Sequence, residues 1–192
     1  MTNQRKITIA ITTHKEVGEL ELCLEALALN PDVANQRLLV WLMADHGSEL
    51  GAKHMWLCQK YLGSVKYHEH HDYLGPDEHR KYVCDQFLRD MDYDWLILIE
   101  DSNIVTPRAI HTLRVLTGLF DDNPVISAVE LHNNGYNIQA VSGKFWRQYG
   151  GAINTERGFR HGLSELAVES GCIGARYNEA TLTQGVLAKC QT

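Results

Sequence analysis

Short apolar runs alternate with stretches of helical periodicity along most of this chain. The apolar runs predict strands over residues 7–12, 38–44, 65–68, 95–100 and 125–131. Apolar residues at helical spacing predict helices over residues 16–29, 48–62, 78–91 and 108–120. Such alternation is typical of a parallel sheet with helical crossovers. We therefore predict a single α/β domain over residues 1–192, with a mostly parallel twisted sheet flanked by helices.

The strand at residues 95–100 belongs to the most informative stretch, WLILIEDSNIVTP. Its five leading apolar residues do not alternate with polar ones, which predicts a strand buried on both faces of a sheet. Glu100 and Asp101 then fall at the carboxyl edge, where open α/β folds bind ligands. A hydrated strand end that caps the next helix is the alternative explanation for the two acids.

Two other predicted strands also end in polar residues. The first strand ends in Thr12 and Thr13, and the second is followed by Asp45. A carboxylate at such an edge can accept hydrogen bonds from a base or a ribose, and a second acid can orient a divalent cation on a pyrophosphate. The three strand ends together favour a nucleotide site.

Composition narrows the class of protein. The chain has 192 residues, 44% hydrophobic and 22% charged, which is typical of a globular protein. Its net charge of -6 disfavours a nucleic-acid partner, and an anionic ligand would need backbone amides, an arginine or a metal ion. The five cysteines form no CxxC pair. We expect no transmembrane helix and no signal peptide, with the cytoplasm as the default location.

The pattern loosens between residues 131 and 169, where we expect a substrate-facing insertion. Within it, residues 158–162 are a candidate flap or an ordinary loop, and Trp146 is a candidate platform for stacking an acceptor. We expect Trp41, Trp56 and Trp95 to be core residues.

A second candidate site is the histidine-rich stretch HEHHD at residues 68–72, with His79 nearby. Imidazole suits zinc or nickel, so a metal site is chemically possible. Adjacent histidines point in different directions, however, and the spacing matches no HExxH-type motif. A hydrated polar loop is therefore the competing interpretation.

Three stretches, taken in order, resemble the family 2 type of glycosyltransferase with the GT-A (nucleotide-diphospho-sugar transferase) fold. The stretches are ITIAITTHKEVGELELCLEAL, LLVWLMADHGSE and WLILIEDSNIVTP. They match the family's opening strand and helix, its strand ending in acids, and its strand ending in an acidic triplet. The resemblance covers about residues 5 to 120.

The resemblance implies a role for each matching residue. Thr12, Thr13 and Glu16 would line a nucleoside pocket, and Asp45 would accept a hydrogen bond from the base. Arg80 would meet the diphosphate. Glu100, Asp101 and Ser102 occupy the metal triplet, and residues 171–176, ending in Arg176, resemble a later glycine-to-arginine segment.

This chain departs from the family pattern at two positions. His46 replaces the second acid of the usual pair, and Ser102 replaces the metal-binding acid of the triplet. Because a hydroxyl is a poor substitute for a carboxylate on Mg²⁺ or Mn²⁺, Asp101 becomes the main candidate ligand. The catalytic base would be Glu165 or Glu169, although both also fit the hydrated face of a helix.

The resemblance implies an enzyme that transfers a sugar from a nucleoside diphosphate sugar, expected to be UDP-linked, to an unidentified hydroxyl acceptor. The implied cofactor is Mn²⁺ or Mg²⁺. Residues 1–120 would bind the donor, and residues 121–192 would form the acceptor side. The alternatives are a nucleotide- or sugar-binding relative without turnover and a histidine-rich metal hydrolase.

Overall fold

The structure is a computed structural model. It describes residues 6–14, 17–35, 39–45, 50–63, 65–70, 74–90, 94–106, 108–119, 125–128, 139–153, 155–159, 162–163 and 175–177. The strands are β1 (Ile7–Thr13), β2 (Leu39–Asp45), β3 (Lys66–His70), β4 (Trp95–Glu100), β5 (Val125–Ala128), β6 (Gln139–Ser142) and β7 (Ala175–Tyr177). The helices are α1 (Val17–Ala28), α2 (Pro31–Ala34), α3 (Gly51–Leu62), α4 (Pro76–Asp90), α5 (Ala109–Leu119) and α6 (Gly143–Tyr149). Two 3-10 turns follow at Gly150–Ala152 and Thr155–Arg157.

Among the described residues, seven strands form one sheet in the order β3-β2-β1-β4-β6-β5-β7. The pairs β1–β2, β1–β4, β2–β3 and β5–β7 are parallel, whereas β6 is antiparallel to both of its neighbours. The mostly parallel sheet flanked by helices is thus confirmed. The predicted strands at 7–12, 38–44, 95–100 and 125–131 all correspond to observed strands, although residue 38 and residues 129–131 lie outside the described residues.

β4 lies between the two hydrophobic layers, as its unbroken apolar sequence predicted. Trp95, Ile97 and Ile99 pack into one layer with residues of α1, α3 and α5. Leu96 and Leu98 pack into the other layer with residues of α4 and α6. Because both faces of β4 are covered, each of its first five residues is buried and Glu100 is the first to reach the edge.

The stretch between residues 131 and 169 supplies more of the core than expected. β6 pairs with β4, and α6 covers it. Trp146 is 0% exposed and its Nε1 donates to Asp85 Oδ1 at 2.9 Å, so the expectation of a surface stacking platform is wrong. Gly150 packs so closely on the Trp146 ring that an added Cβ would lie 2.5 Å from it.

Two other expectations need correction. Trp56 is 58% exposed, because it lies on the outer face of α3, so it is not a core residue. The stretch that starts at His68 is not wholly a loop, since β3 continues to His70.

The short helix α2 is joined to α5 by the residue that precedes it. The Asn30 side-chain oxygen accepts a hydrogen bond from Ile110 N–H at 3.3 Å.

Asp32 holds α2 against the first turns of α5. Its Oδ2 accepts hydrogen bonds from His111 Nδ1 and Arg114 Nε, each at 3.0 Å. Burial alone would raise the pKa of Asp32, but the hydrogen bonds from His111 and Arg114 outweigh it and lower this pKa below its ordinary value.

We predict that Asp32→Asn lowers the free energy of unfolding by about 2 kcal/mol at pH 7, the scale of a hydrogen bond to a charged group. A carboxyl with a lowered folded pKa stabilises the fold above its unfolded pKa of about 3.9, and this contribution is lost as the pH falls through the folded pKa. Urea unfolding of both proteins at several pH values measures the difference, with Glu25→Gln as an exposed control. If the difference in free energy of unfolding between the two proteins is equally large at pH 7 and pH 3, the charge of Asp32 is not its cause.

Candidate functional site

A crevice opens at the carboxyl edge of the sheet, between β1, β4 and the start of α4. It is lined by Thr12, Thr13, His14, Pro76, His79, Arg80, Glu100 and Asp101. The crevice between these described residues has a volume of about 160 Å³. This volume is less than the roughly 300 Å³ of a typical small-ligand pocket. The segments 46–49 and 71–73, which follow β2 and β3 in the chain, lie outside the described residues.

Asp101 is fixed by hydrogen bonds from the end of β1. Its Oδ2 accepts from the Thr13 hydroxyl at 2.7 Å and from the His14 N–H at 3.3 Å. Its own N–H donates to the Thr12 carbonyl at 3.0 Å. Burial raises the pKa of Asp101 and the charge of Glu100 adds to the rise, although the hydrogen bonds oppose it. The sequence prediction that Thr13 and Asp101 share one site is consistent with this geometry.

Asn103 shapes the turn that carries Glu100, Asp101 and Ser102. Its side-chain oxygen accepts from Glu100 N–H at 3.2 Å, and its own N–H donates to the Glu100 carbonyl at 3.0 Å. Asn103 is only 5% exposed, so both bonds are sheltered from water. Asn103 was not among the predicted site residues, although asparagine next to a strand end is a known turn residue.

Arg80 reaches the crevice from the first turns of α4, but it is not free to act alone on a ligand. Nη1 donates to Asp77 Oδ1 and Nη2 donates to Glu100 Oε1, each at 2.5 Å. The Arg80 side chain is 13% exposed and that of Glu100 is 21% exposed, whereas Asp77 is 37% exposed, so the pair with Glu100 is the better shielded of the two. Asp77, which the sequence analysis did not single out, is therefore part of the site.

Some of the other predicted site residues are described by the structure, and others lie outside the described residues. Thr12 lines the crevice, and its hydroxyl donates to the Ile99 carbonyl at 3.4 Å. Ser102 is exposed on the turn after Asp101. The backbone of Asp45 ends β2 at the same sheet edge, opposite His70 of β3. Glu16, Glu165 and Glu169 lie outside the described residues, as does His46. Arg176 lies in β7, three strands away from β4 in the sheet order.

The acidic turn offers oxygen donors of the kind that Mg²⁺ and Mn²⁺ prefer. Both β1 hydrogen bonds fall on Asp101 Oδ2, and the Ser102 N–H also donates to this carboxylate. In the described part of the chain, no three histidine, cysteine or acidic side chains are grouped closely enough to hold a metal ion by themselves. The residues therefore fit a cation that takes most of its remaining ligands from a diphosphate and water.

In the described part of the histidine-rich stretch, residues 68–70, both histidines contact the same aromatic residue. His68 Nε2 lies 3.1 Å from the Tyr82 hydroxyl, and the His70 ring meets the edge of the Tyr82 ring at 4.6 Å. Glu69, between them in β3, points to the opposite face because side chains alternate along a strand. His71 and Asp72 lie outside the described residues. His68 and His70 thus contact an aromatic residue of α4.

Comparison with known proteins identifies the fold. No family model matches the sequence, and no curated protein matches it. Among solved structures, the mannosyltransferase PcManGT from Pyrobaculum calidifontis, in complex with GDP-Man and Mn²⁺, gives a TM-score of 0.71 at 12% identity, covering 93% of this chain and 56% of that one. A Desulfovibrio desulfuricans G20 protein described as a nucleotide-diphospho-sugar transferase gives 0.64 at 11% identity, covering 91% and 80%.

A third structure is S. aureus TarS 1-349 in complex with UDP, with a TM-score of 0.58 at 11% identity, covering 77% of this chain and 49% of that one. The chain therefore has the GT-A fold of nucleotide-diphospho-sugar transferases, which confirms the fold that the sequence motifs implied. It spans about half the length of PcManGT and of TarS 1-349. Within the described residues, no helix has the length and apolar character needed to cross a bilayer.

We predict that Asp101→Asn stabilises the ligand-free protein while weakening any response to Mn²⁺. A carboxyl whose folded pKa is raised costs stability above that pKa, and the cost disappears when the charge is removed. We expect the melting temperature to rise by about 2–4 °C for each kcal/mol regained. Differential scanning calorimetry at pH 7 measures the melting temperature of each protein, with Ser102→Ala as the control at a neighbouring exposed residue. A lower melting temperature for Asp101→Asn would mean that the charge of Asp101 does not destabilise the folded protein.

Proposed function

We propose that this chain binds a nucleoside diphosphate sugar and transfers the sugar to a hydroxyl acceptor. The observation that carries the proposal is the meeting of the Glu100–Asp101 turn with Arg80 in a crevice at the carboxyl edge of a GT-A sheet. PcManGT was solved with GDP-Man and Mn²⁺ and TarS with UDP, which supports a nucleotide-linked donor. We propose a UDP-linked sugar, with residues 1–120 on the donor side and residues 121–192 on the acceptor side.

Each described residue has a defined part in this proposal. Asp101 would hold a divalent cation through one carboxylate oxygen, while Thr13 and His14 keep that carboxylate oriented. The cation, when bound, neutralises charge that develops on the diphosphate leaving group. Arg80 keeps Glu100 at the crevice wall and can donate to diphosphate oxygens.

Three further roles are carried over from the family resemblance. Thr12 and Glu16 would line the nucleoside pocket, and Asp45 would accept a hydrogen bond from the base. Glu165 or Glu169 would act as the base that deprotonates the acceptor hydroxyl.

The test is a thermal-shift series with UDP, GDP and their sugar derivatives, each with and without Mn²⁺. A ligand at 100 times its Kd stabilises the native state by about 2.7 kcal/mol, so binding is readily detected. Release of UDP or GDP from the sugar derivative is then measured for the ligands that bind. Binding with release supports the transferase. Binding without release favours a relative that holds the nucleotide but does not turn it over, and no binding at all refutes the proposal.

Asp45→Ala should weaken the binding of UDP by about 1–3 kcal/mol, because a base donor would lose its acceptor in a sheltered pocket. The reason for choosing this residue is its position at the end of β2, beside β1 at the same edge of the sheet. Calorimetric titration of UDP with Mn²⁺ measures the change, and Asp94→Ala, at the start of β4, is a control at the opposite sheet edge. An unchanged Kd for UDP argues against this role for Asp45.

Ser102→Asp should strengthen Mn²⁺ binding in the presence of UDP. The exposed Ser102 follows Asp101 directly, so the new carboxylate can add a ligand that the diphosphate otherwise has to supply. In the original protein, Mn²⁺ and UDP should each tighten the binding of the other by the same factor. Calorimetry with and without UDP, corrected for Mn²⁺ binding to UDP itself, gives both quantities. Equal Mn²⁺ affinities in all four combinations would show that the acidic turn binds no metal.

A further inference from the structure

The crevice between β1, β4 and α4 is too small for a whole nucleotide. Its volume of about 160 Å³ is well below the roughly 300 Å³ at the lower end of small-ligand pockets. Arg80 and Asp101, which are proposed to meet the diphosphate and its cation, both line this crevice. Because β2 and β3 run parallel to β1, their carboxyl ends continue the same edge of the sheet. A nucleoside joined to that diphosphate can therefore extend along this edge, over β2 and β3.

The register of the sheet places His70 at this edge, beside Asp45. In the parallel pair of β2 and β3, Ala44 lies opposite Glu69 and Asp45 lies opposite His70. Thr13, the last residue of β1, lies opposite Ala44. His70 is therefore one residue closer to the edge than the end of β1, and two strand spacings, roughly 10 Å, to its side. It extends the row of strand ends that forms the candidate nucleotide site.

His70 lies on the face of the sheet that α4 covers. Its ring meets the Tyr82 ring of α4 with centroids 4.6 Å apart and planes at 74°. His68, two residues earlier and so on the same face, places its Nε2 3.1 Å from the Tyr82 hydroxyl. Arg80 belongs to the same helix and donates to Glu100 of β4. His70 and the crevice residue Arg80 are thus on the same side of the sheet, and Tyr82 limits how the His70 ring can turn.

Nucleobases differ in the groups that they offer to such a pair of side chains. Uracil and guanine have a ring N–H next to a carbonyl oxygen, whereas cytosine and adenine have a bare ring nitrogen next to an amino group. A carboxylate only accepts hydrogen bonds, and a neutral imidazole carries one N–H donor. A carboxylate beside an imidazole therefore matches the N–H and the carbonyl of uracil or guanine, and the carboxylate repels the bare nitrogen of cytosine or adenine.

We propose that His70 is a specificity-determining residue that donates a hydrogen bond to the carbonyl oxygen of a uracil or guanine base. The inference rests on the proposed function, because it takes Asp45 as the acceptor for the ring N–H of that base. Tyr82 is a positioning residue, since its contact keeps the His70 ring in place. The site then selects UDP and GDP over CDP and ADP.

Calorimetric titration with UDP and CDP, each in the presence of Mn²⁺, tests the proposal, since the two nucleotides differ only in the base. We expect the original protein to bind UDP more tightly than CDP, and GDP more tightly than ADP. His70→Ala should raise the Kd for UDP by about threefold to tenfold, the effect of losing one hydrogen bond, and should leave the Kd for CDP within about twofold.

Two further variants separate the hydrogen bond from the packing of β3. His70→Phe keeps an aromatic ring next to Tyr82 but has no N–H, so it should weaken UDP binding as His70→Ala does. Glu69→Gln is the matched control, because it changes the neighbouring residue of β3, whose side chain lies on the opposite face of the sheet. It should bind both nucleotides as the original protein does.

The possible outcomes distinguish this inference from the proposed function. If UDP binds His70→Phe as tightly as it binds the original protein, the role of His70 is overturned and the proposed function stands. The same holds if the His70 variants weaken UDP and CDP by the same factor, or if the original protein binds UDP and CDP equally well. If neither UDP nor GDP binds the original protein, the proposed function and this inference fail together.

Discussion

The hydrogen bond from the Thr13 hydroxyl to Asp101 is the interaction on which the candidate site depends. It exists because β1 and β4 are adjacent and in a register that places Thr12 opposite Glu100. A slip of one residue would turn the Thr13 side chain to the other face of the sheet. That register is fixed by the buried isoleucines of both strands, which pack into the same hydrophobic layer. The geometry of the acidic turn is therefore a consequence of core packing.

Electrostatics at this edge works against the stability of the fold. Among the described residues that line the crevice, Arg80 carries the permanent positive charge, and it is already engaged with Glu100 and with Asp77 behind it. Asp101 is a partly buried carboxylate whose pKa is raised by that burial. Keeping such a charge costs folding free energy unless a cation or a donor compensates it. A site maintained at the expense of stability is typical of ligand-binding positions.

Sequence patterns predicted the elements whose physical cause is local. β4 is apolar without a break because both of its faces are covered, and α1 and α4 show helical spacing because one face of each packs on the sheet. The exposure of two tryptophans, Trp56 and Trp146, does not follow from such local patterns. Trp146 is buried, with Asp85 of α4 accepting its N–H and Gly150 leaving room for its ring. Neither contact can be predicted from the apolar pattern around residue 146.

The site shows the same division between local and non-local causes. Glu100 and Asp101 were predictable from the end of a buried strand, whereas the pairing of Arg80 with Glu100 was not, because the two residues lie 20 positions apart on different elements. Shared fold at identities near 12% says nothing about the chemistry by itself. Among the described residues that line the crevice, Arg80 is held by two carboxylates, so under the proposed function a diphosphate would need a cation at Asp101 or a rearrangement of Arg80. The two alternatives differ chemically, because a bound cation adds positive charge to the crevice whereas a rearranged Arg80 takes its charge away from Glu100 and Asp77.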